Sequence, residues 1–590
     1  MNHSKTLIHL GWLFIATAGF SPAADKVAPD LKTQQGANVD VIVQYAVTPA
    51  ARQHEKVLSR GGLLKRDLGG VIKGALYSVP ASAIAELAKD PEIAYIAPNR
   101  PLRGTLNYST AAVNAAVAWS QYNLQGTGIG VALIDSGIDN HPDLAAGLFQ
   151  SRILYTQDFV GGNGSDQYGH GSHVAGIIAG NGASSAGLTY TKTFKGMAPN
   201  ANLINLRVLD QNGNGTDSDV IEAIQRAISL KSAYNIRVIN LSLGRPVYES
   251  YTLDPLCQAV EAAWKAGIVV VVAAGNEGRN NAAGTQGYGT ITAPGNDPYV
   301  ITVGAMKTME TISRTDDLIA SYSSKGPTLL DHIVKPDLVA PGNRVVSLHA
   351  SQASLENDYA GNDVSLSYYS LVFGLVPTLA PNSSSYYTLS GTSMAAPVVS
   401  GAAALLLQHK PSLTPDQVKL LLMKTAYKTF PRSSVAVDPI TGISYTSQYD
   451  IFTVGAGYLD MAAALADTDV LPSAVGSALS PTAVIETVNG VPTVCVVNNG
   501  TTAVWGSTAV WGSTAVWGSS VFVASTTAVW GSTAVWGSTA VWGSTAVWGS
   551  TAVWGSTAVW GSTAVWGSTA VWGSTIDSAE SLLIAIYGEN

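Results

Sequence analysis

The segment Ile129-Gly130-Val131-Ala132-Leu133-Ile134 decides the fold class. It is a short apolar run, and similar runs follow it at residues 202–208, 237–241, 268–273 and 299–303. A strand that reads as one continuous apolar run is buried on both faces. Stretches with helical periodicity separate these runs. The alternation predicts an α/β fold over residues 107–465, with a parallel sheet and helices on both of its faces.

A different rhythm precedes this region, between residues 39 and 103. Strand-like runs alternate with two helical stretches in the order β-α-β-β-α-β, which predicts a ferredoxin-like α+β module. The strands are expected at 39–43, 63–64, 71–79 and 92–97, and the helices at 51–58 and 81–89.

The first 24 residues have the composition of an export signal. Lys5 precedes an apolar run from residue 7 to 20, and Ser21-Pro22-Ala23-Ala24 supplies small residues for cleavage. A membrane anchor is the alternative, but the run is shorter than the ~20 apolar residues that span a bilayer. We expect a protein that is secreted or associated with the cell surface, without a transmembrane helix in its mature form.

Charge and cysteine content narrow the classes of partner and site. The 590 residues include 32 Lys and Arg and carry a net charge of −8, and the basic residues form no stripe that would bind nucleic acid. The two cysteines, Cys257 and Cys495, cannot build a disulfide framework or a cysteine-rich zinc site. The sequence is compatible both with a disulfide between Cys257 and Cys495 and with two free thiols.

Residues 501–575 repeat the hexad Thr-Ala-Val-Trp-Gly-Ser, after a predicted linker at 466–500 and before a C-terminal tail at 576–590. Only three of the 14 tryptophans lie outside the repeat, and no charged residue occurs between Glu486 and Asp577. Each hexad offers a four-residue strand and a Gly-Ser turn. A stacked meander, a hexapeptide-type solenoid and a sequence without a selected fold all fit this pattern.

Three short segments carry the candidate chemistry. Asp135 follows the first apolar strand directly, where open α/β sheets place their ligands. His170 and Ser393 each open an apolar helical stretch. Taken singly, Asp135 fits an ordinary turn, and Ser393 fits a helix cap. His170 fits a helix cap or, together with His173, half of a metal site. The order Asp…His…Ser is one of the chain orders of acyl-transfer triads.

The surrounding residues make the pattern specific. The three motifs closely resemble the active-site motifs of the subtilisin family of serine proteases, and no Gly-x-Ser-x-Gly occurs to favour an α/β-hydrolase. They read Ile134-Asp135-Ser136-Gly137-Ile138-Asp139, Gly169-His170-Gly171-Ser172-His173-Val174-Ala175-Gly176 and Gly391-Thr392-Ser393-Met394-Ala395-Ala396-Pro397. The resemblance implies a serine endopeptidase with Asp135, His170 and Ser393 as its triad, needing no cofactor for chemistry.

Further motifs of that family imply the remaining parts of a cleft. Asn276, in the segment 271–278, resembles the side-chain donor to the oxyanion. Ser242-Leu243-Gly244 resembles the strand that pairs with an extended substrate, and Ala293-Pro294-Gly295 resembles the second wall of the first specificity pocket. Small groups at Gly244 and Ala293 predict a pocket for medium to large apolar side chains.

The resemblance also gives the module at 39–103 a role. It is similar to the inhibitor-type propeptide that assists folding and then blocks the cleft with its tail. Self-cleavage is then expected between residues 103 and 109. Because His170 must be neutral to act as a base, activity should fall as the pH drops through ~6–7.

Two departures from the family pattern stand out. The stretch 347–388 is longer than the family core needs and is expected to form a flap beside Ser393. The resemblance implies a structural calcium site with Asp143 as a ligand, but the loop 181–195, which would supply the other ligands, departs from the pattern.

Two readings of function follow. The first is a secreted, autoprocessing serine endopeptidase that cuts extended peptides through an acyl-enzyme and is inhibited by its own propeptide. The alternative is a surface or matrix protein in which the Trp-rich repeat is the functional part. In a combined form, the repeat attaches the protease to a surface, polymer or partner, or is removed during maturation.

Overall fold

The computed structural model describes residues 26–28, 31, 38–70, 72–99, 101–104, 110, 112–147, 150–280, 285–311, 313–374, 381–438, 442–488, 491–498, 501–504 and 584–589. The predicted export signal, the repeat beyond residue 504 and residues 105–109 of the expected cleavage region lie outside them.

Residues 38–99 form a small module with its own core. Its elements are β1 (Asn38–Tyr45), α1 (Ala51–Leu58), β2 (Leu63–Asp67), β3 (Gly74–Pro80), α2 (Ile84–Ala88) and β4 (Ile93–Pro98). The four strands form an antiparallel sheet in the order β2-β3-β1-β4. The expected strand at 71–79 thus begins at Gly74, and the expected helix at 81–89 is a 3₁₀ turn at Ala81–Ala83 followed by α2.

The other described residues build one large domain with further small sheets. Its first part contains β5 (Pro101–Gly104), α3 (Ala115–Ser120), β6 (Gly130–Asp135), β7 (Ala145–Gly147), β8 (Gln150–Ser151), β9 (Ile153–Asp158), α4 (His170–Ala179), β10 (Asn202–Arg207), β11 (Asn214–Thr216), α5 (Asp217–Tyr234), β12 (Ile236–Leu241), β13 (Leu243–Gly244), α6 (Pro255–Lys265) and β14 (Val269–Ala273).

The second part continues to the start of the repeat. It contains β15 (Arg279–Asn280), β16 (Thr285–Gln286), β17 (Ile301–Lys307), β18 (Leu318–Ile319), β19 (Leu338–Pro341), β20 (Val345–Leu348), α7 (Ser354–Asp358), β21 (Asp363–Ser365), α8 (Leu371–Gly374), β22 (Asn382–Leu389), α9 (Thr392–His409), α10 (Pro415–Thr425), β23 (Ser433–Val437), β24 (Ser444–Gln448), α11 (Ile451–Val454), α12 (Met461–Ala466), β25 (Thr482–Val488), β26 (Val491–Asn498) and β27 (Thr501–Val504).

An eight-stranded sheet forms the centre of the large domain. Its order is β18-β17-β14-β12-β6-β10-β9, with β19 paired to β17, and only β18 runs antiparallel to its neighbour. Every residue of β6 and β14 is buried, because helices cover the sheet. The observed α/β architecture with a mainly parallel sheet agrees with the sequence prediction.

Two helix pairs pack on this sheet. Helices α4 and α9 contact each other, and α9 lies across β12, β14 and β17, while α5 and α6 form a separate pair against β12 and β14. Helix α9 is buried from residue 392 to 407, which explains why its sequence is apolar on all sides. Both α4 and α9 begin at the carboxyl-terminal edge of the sheet, where the motif residues lie.

The structure adds detail on the segment 482–498 and on Cys257. Within the predicted linker at 466–500, the β-branched segment 482–498 forms β25 and β26, which make an antiparallel sheet with β27. Cys257 is a buried free thiol that donates to Asn296 Oδ1 over 3.3 Å, so it forms no disulfide with Cys495. Burial raises the pKa of the Cys257 thiol, which keeps it unreactive.

Candidate active site

A buried carboxylate and an imidazole meet where β6 ends and α4 begins. Asp135 is the last residue of β6 and His170 is the first residue of α4, as the sequence predicted. His170 Nδ1 lies 2.5 Å from Asp135 Oδ1, and both side chains are almost fully buried. A carboxylate oxygen accepts, so Nδ1 carries the proton in this pair. The other ring nitrogen, Nε2, is therefore the basic position of the neutral imidazole.

Asp166 fixes the loops on either side of this pair, and the motif analysis did not include it. Its carboxylate accepts hydrogen bonds from Ser136 Oγ at 2.8 Å, Gly169 N at 2.8 Å and Ser172 N at 2.7 Å. Burial raises the pKa of Asp166, although these hydrogen bonds oppose the shift. The only local signal is an Asp shortly before a helix start, a position that caps helices in many proteins.

Ser393 lies in the first turn of α9 and forms hydrogen bonds with Ser242, the residue that follows β12. Its Oγ donates to Ser242 O over 3.1 Å, and Ser242 Oγ donates to Ser393 O over 2.6 Å. Asn240 Nδ2 donates to Ser242 Oγ over 2.9 Å and orients this hydroxyl. The reciprocal contact joins the nucleophile candidate to the segment predicted to bind substrate.

Asn276 presents an unpartnered donor beside this turn. Its Oδ1 accepts from the backbone N and the Oγ1 of Thr392, at 2.9 and 3.1 Å, which fixes the orientation of the amide. Its Nδ2 is buried and has no hydrogen-bond partner among the described residues. A buried donor without a partner is unfavourable in the resting protein. The amide is therefore poised to donate to a group that enters the site.

The predicted substrate-binding segments lie side by side. Ala293 and Arg245 exchange backbone hydrogen bonds of 2.8 and 3.0 Å, which places Ala293-Pro294-Gly295 next to the end of β13. A Cβ at Gly244 would lie 2.6 Å from Thr292 Oγ1, so only glycine fits between these two segments.

The edge of β13 is paired with the chain's own β5. Gly104 lies opposite Leu243, and Arg103 lies opposite Gly244, in antiparallel register. On its other edge β5 pairs with β11, so residues 101–104 form the middle strand of a three-stranded sheet. This is the geometry of strand addition to a sheet edge.

The long stretch 347–388 packs beside His170. Ser354 N donates to Gln167 O over 3.0 Å and Leu355 N donates to Tyr168 O over 3.1 Å. Burial raises the pKa of Glu356, in the same short helix, to about 9. The raised pKa favours the neutral form of this carboxyl, whose Oε1 accepts from Ala350 N.

The second histidine of the His motif does not join a metal site. His173 is buried, and its Nε2 donates to Val345 O and Tyr387 O, at 3.2 and 3.1 Å. In the part of the chain that the structure describes, no three His, Cys, Asp or Glu side chains come close enough to hold a metal ion.

The surroundings of Asp143 do not fit a calcium ligand. Its Oδ1 accepts from Ser184 N at 2.7 Å and its Oδ2 accepts from the Tyr386 hydroxyl at 2.7 Å. The guanidinium of Arg152 lies 2.6 Å from its backbone carbonyl. Protein donors thus occupy the oxygens that the family resemblance assigned to a cation, and Asp143 lies apart from the other site residues.

Comparison with known proteins agrees with this geometry. The model of the subtilase family of peptidases matches residues 126–456. The chain belongs to the subtilase family.

Several curated members of the family are similar to this subtilase over long stretches. Serine protease AprX of Bacillus subtilis is 38% identical over 355 residues, which are 58% of this chain and 71% of that protein. Subtilisin E of Bacillus subtilis is 31% identical over 420 residues, which are 70% of this chain and 90% of that protein. An extracellular serine proteinase of Thermus is 31% identical over 370 residues, 60% of this chain and 70% of its own.

Membership identifies the reaction class. The chain is a serine endopeptidase, and its substrates are proteins or peptides. All the predicted site residues of this subtilase lie inside the matched region. No helix in the described ranges is both long and apolar enough to cross a membrane.

Proposed function

We propose that this subtilase is an exported, autoprocessing endopeptidase in which Asp135, His170 and Ser393 form the catalytic triad. The observation that carries the proposal is the 2.5 Å hydrogen bond from His170 Nδ1 to Asp135 Oδ1 in a fully buried position. It fixes the tautomer in which Nε2 is free of its proton, and a general base needs that tautomer.

Acyl transfer then proceeds in two stages. Ser393 Oγ attacks the scissile carbonyl carbon while His170 Nε2 takes the hydroxyl proton, and the proton passes to the leaving amine as the peptide C–N bond breaks. A water molecule then attacks the acyl-enzyme, again giving its proton to His170, and Ser393 Oγ leaves with that proton. Asp135 stabilises the imidazolium in both stages.

The negative oxygen of each tetrahedral intermediate needs donors that are already in place. Asn276 Nδ2 is the side-chain donor in this proposal, since it is buried without a partner among the described residues and its amide is fixed through Thr392. The backbone N–H of Ser393 lies in the first turn of α9, where the helix dipole favours negative charge.

Substrate binding is assigned to the segments around β13. An extended substrate adds as a strand to Leu243–Gly244, and Ser242 and Ala293-Pro294-Gly295 border the first specificity pocket. The close approach of Gly244 to Thr292 supports a pocket with small side chains on its walls. A medium to large apolar residue before the scissile bond fits such walls.

The small module acts as an inhibitory propeptide in this proposal. The insertion of β5 between β11 and β13 supports it, because these edges are the ones that an extended substrate would use. Cleavage between residues 103 and 109 would separate the module from the protease domain while leaving it bound.

Export and attachment complete the proposal. Residues 1–24 direct secretion, and one relative is named an extracellular serine proteinase. The Trp-rich repeat attaches the enzyme to a surface, polymer or partner.

The test uses the full chain with and without Ser393→Ala. In the parent protein we expect cleavage between residues 103 and 109 and labelling by a serine-directed phosphonate, whereas the variant should show neither. A folded parent chain that is neither processed nor labelled would contradict the proposal. Mass spectrometry of the processed amino terminus identifies the bond.

A further inference from the structure

The segment after the repeat folds back onto the protease domain. Residues 584–589, here called the return segment, have the sequence Ile-Ala-Ile-Tyr-Gly-Glu. Ile584, Ala585, Ile586 and Glu589 are buried, and the three apolar residues belong to the main hydrophobic core. In the sequence, β27 (Thr501–Val504) lies at the start of the repeat and the return segment lies after its end.

Several backbone groups of the return segment form hydrogen bonds with the protease domain. Ala585 O accepts from Ser390 N at 2.7 Å, and Ile586 O accepts from Asn362 Nδ2 at 2.7 Å. The amide of Asn343 donates to Glu589 O over 2.8 Å and accepts from Glu589 N at 2.9 Å. Such contacts recognise a peptide backbone rather than one side chain.

The carboxylate of Glu589 enters a buried site that contains two cations. Its Oε1 lies 2.6 Å from Arg279 Nη1, and its Oε2 lies 3.4 Å from Lys307 Nζ. The backbone N of Ser321 lies 3.1 Å from both carboxylate oxygens, and the Ser321 hydroxyl also donates to Oε1. All four residues are almost fully buried. A buried charge is tolerated only when it is paired and hydrogen-bonded, so this site is built for a carboxylate.

The same contacts reach the loop that leads to the nucleophile. Ser390 precedes Gly391, the residue before α9, and Gly391 N donates to Gly342 O over 2.9 Å. Asn343, which holds Glu589, follows Gly342 directly. The return segment is thus bonded to both strands of backbone that meet beside the start of α9.

We propose that the protease domain contains an acceptor site for a short apolar peptide with a carboxylate side chain, that the return segment is its ligand, and that occupancy holds residues 390–391 in place for Ser393. The effect on catalysis rests on the proposed function, whereas the binding does not. A cut within the repeat sequence would then leave the return segment bound only through these contacts.

The first test compares two single substitutions in the full chain, both in the Ser393→Ala background so that processing is equal. Glu589→Gln should lower the melting temperature by about 3–6 °C, because it removes the charge that faces Lys307 and one of the two buried carboxylates that pair with Arg279, the other being Asp438. Glu580→Gln, the matched control in the same tail, should leave it unchanged. Hydrogen exchange in residues 384–398 should accelerate only in Glu589→Gln. Equal melting temperatures and equal exchange in the two variants would overturn the proposal.

The second test separates the ligand from the domain. A chain that ends at residue 575, again with Ser393→Ala, should recover melting temperature on addition of a synthetic peptide of residues 578–590. The same peptide with Glu589→Gln should bind at least tenfold more weakly. A folded truncated chain with the melting temperature of the full chain and no response to the peptide would overturn the proposal. If the truncated chain does not fold, the full-chain pair still decides the question.

Activity distinguishes this proposal from the proposed function. With Ser393 present, Glu589→Gln should lower kcat several-fold at an unchanged KM, relative to Glu580→Gln. A destabilised Glu589→Gln in a chain without any proteolysis would reject the protease mechanism but keep the acceptor site. Full proteolysis with no difference between the two variants in stability or kcat would reject the acceptor site but keep the protease mechanism.

Discussion

Asn276 shows how one residue can be unfavourable in the resting protein and useful in the reaction. Its Oδ1 is bonded to Thr392, whereas its buried Nδ2 has no partner in the described ranges. An unsatisfied buried donor costs about 1–3 kcal/mol. That free energy is recovered only when a negative oxygen forms beside it, so the donor favours the transition state over the ground state.

Replacing Asn276 should therefore affect kcat far more than KM. Asn276→Leu keeps the approximate volume but removes the donor, and we expect kcat to fall by about 10²–10³, the effect already known for this donor in the subtilisin family. Kinetics on a chromogenic peptide measure it. Asn200→Leu, at an exposed asparagine, is the control. A fall confined to KM would remove Asn276 from the oxyanion role.

His173 gives a prediction about pH and stability. Burial lowers the pKa of His173 to about 3, while an unfolded histidine titrates near ~6.5. Between these values the unfolded chain binds a proton that the folded chain does not, so the free energy of unfolding falls as the pH decreases from about 6.5 toward 3. The slope for one such group is about 1.4 kcal/mol per pH unit.

The variant His173→Asn lacks this group and isolates its effect. In the Ser393→Ala background we expect the variant to be less stable than the parent at pH 7, with a difference that shrinks as the pH falls below 6.5. Melting temperatures from pH 7 to 4.5 measure it, with His409→Asn as the control for loss of a histidine. A difference that stays constant over this range would show that His173 does not titrate as proposed.

The site residues differ in how well their positions and contacts could be predicted from the sequence. Asp135, His170 and Ser393 stand in contiguous motifs with small neighbours, so their positions at one strand end and two helix starts follow from local patterns. Asn276 also stands in a recognisable motif, but its contact with Thr392, far along the chain, was not predicted. Asp166, which bonds to Ser136 and Ser172 on two sides of the site, was not predicted at all. Such contacts depend on how elements meet in space, which no local pattern specifies.

At the scale of elements, the loop after α4 is held by hydrogen bonds where the family resemblance implied calcium. Asp143 accepts from Ser184 and from the Tyr386 hydroxyl, and Tyr386 in turn contacts Ser185 Oγ at 2.8 Å. Tyr386 belongs to β22, inside the long stretch 347–388. The inserted segment thus supplies a donor at the position assigned to a cation.

Removal of divalent cations should consequently leave this subtilase stable. With an excess of chelator, we expect the melting temperature of the Ser393→Ala form to change by less than 1 °C, about the resolution of a thermal scan. Tyr386→Phe should destabilise by about 1–3 kcal/mol, because Asp143 loses a buried donor. Tyr368→Phe, at an exposed tyrosine, is the control. A chelator-induced drop of many degrees would instead assign a cation to this loop.

Strands that are buried on both faces could be predicted from the sequence, whereas the strands at 482–498 could not. The central strands read as continuous apolar runs because helices cover them on the sheet. The segment 482–498 has only short apolar runs, at 483–485 and 494–497, and its strands pair with each other and with β27. Strands in which polar residues interrupt the apolar runs leave a weaker pattern in the sequence than strands covered on both faces.

At the scale of the whole molecule, the small module is bound to the protease domain at the amino-terminal end of α5. Arg66 Nη1 lies 2.7 Å from Asp219, and its Nε also contacts Glu222. Asn99 Oδ1 accepts from Ser218 N at 2.8 Å, within the first turn of that helix. These contacts, together with β5, connect the module to the cleft edges.

Reversing the charge at Arg66 should weaken this attachment. In Arg66→Glu a carboxylate would face Asp219 and Glu222, and the loss of a partly buried ion pair of about 1–2 kcal/mol should speed dissociation of the processed module roughly tenfold. The lag before peptide hydrolysis begins should shorten accordingly. Lys65→Glu is the matched control, because Lys65 pairs with Asp40 inside the module. If both variants shorten the lag equally, the effect reflects the stability of the module. If neither does, the Arg66 contact does not limit release, and the module is held by β5, by the hydrogen bond from Gln44 Nε2 to Leu253 O and by the apolar contacts of Leu68 and Ile72 with the protease domain.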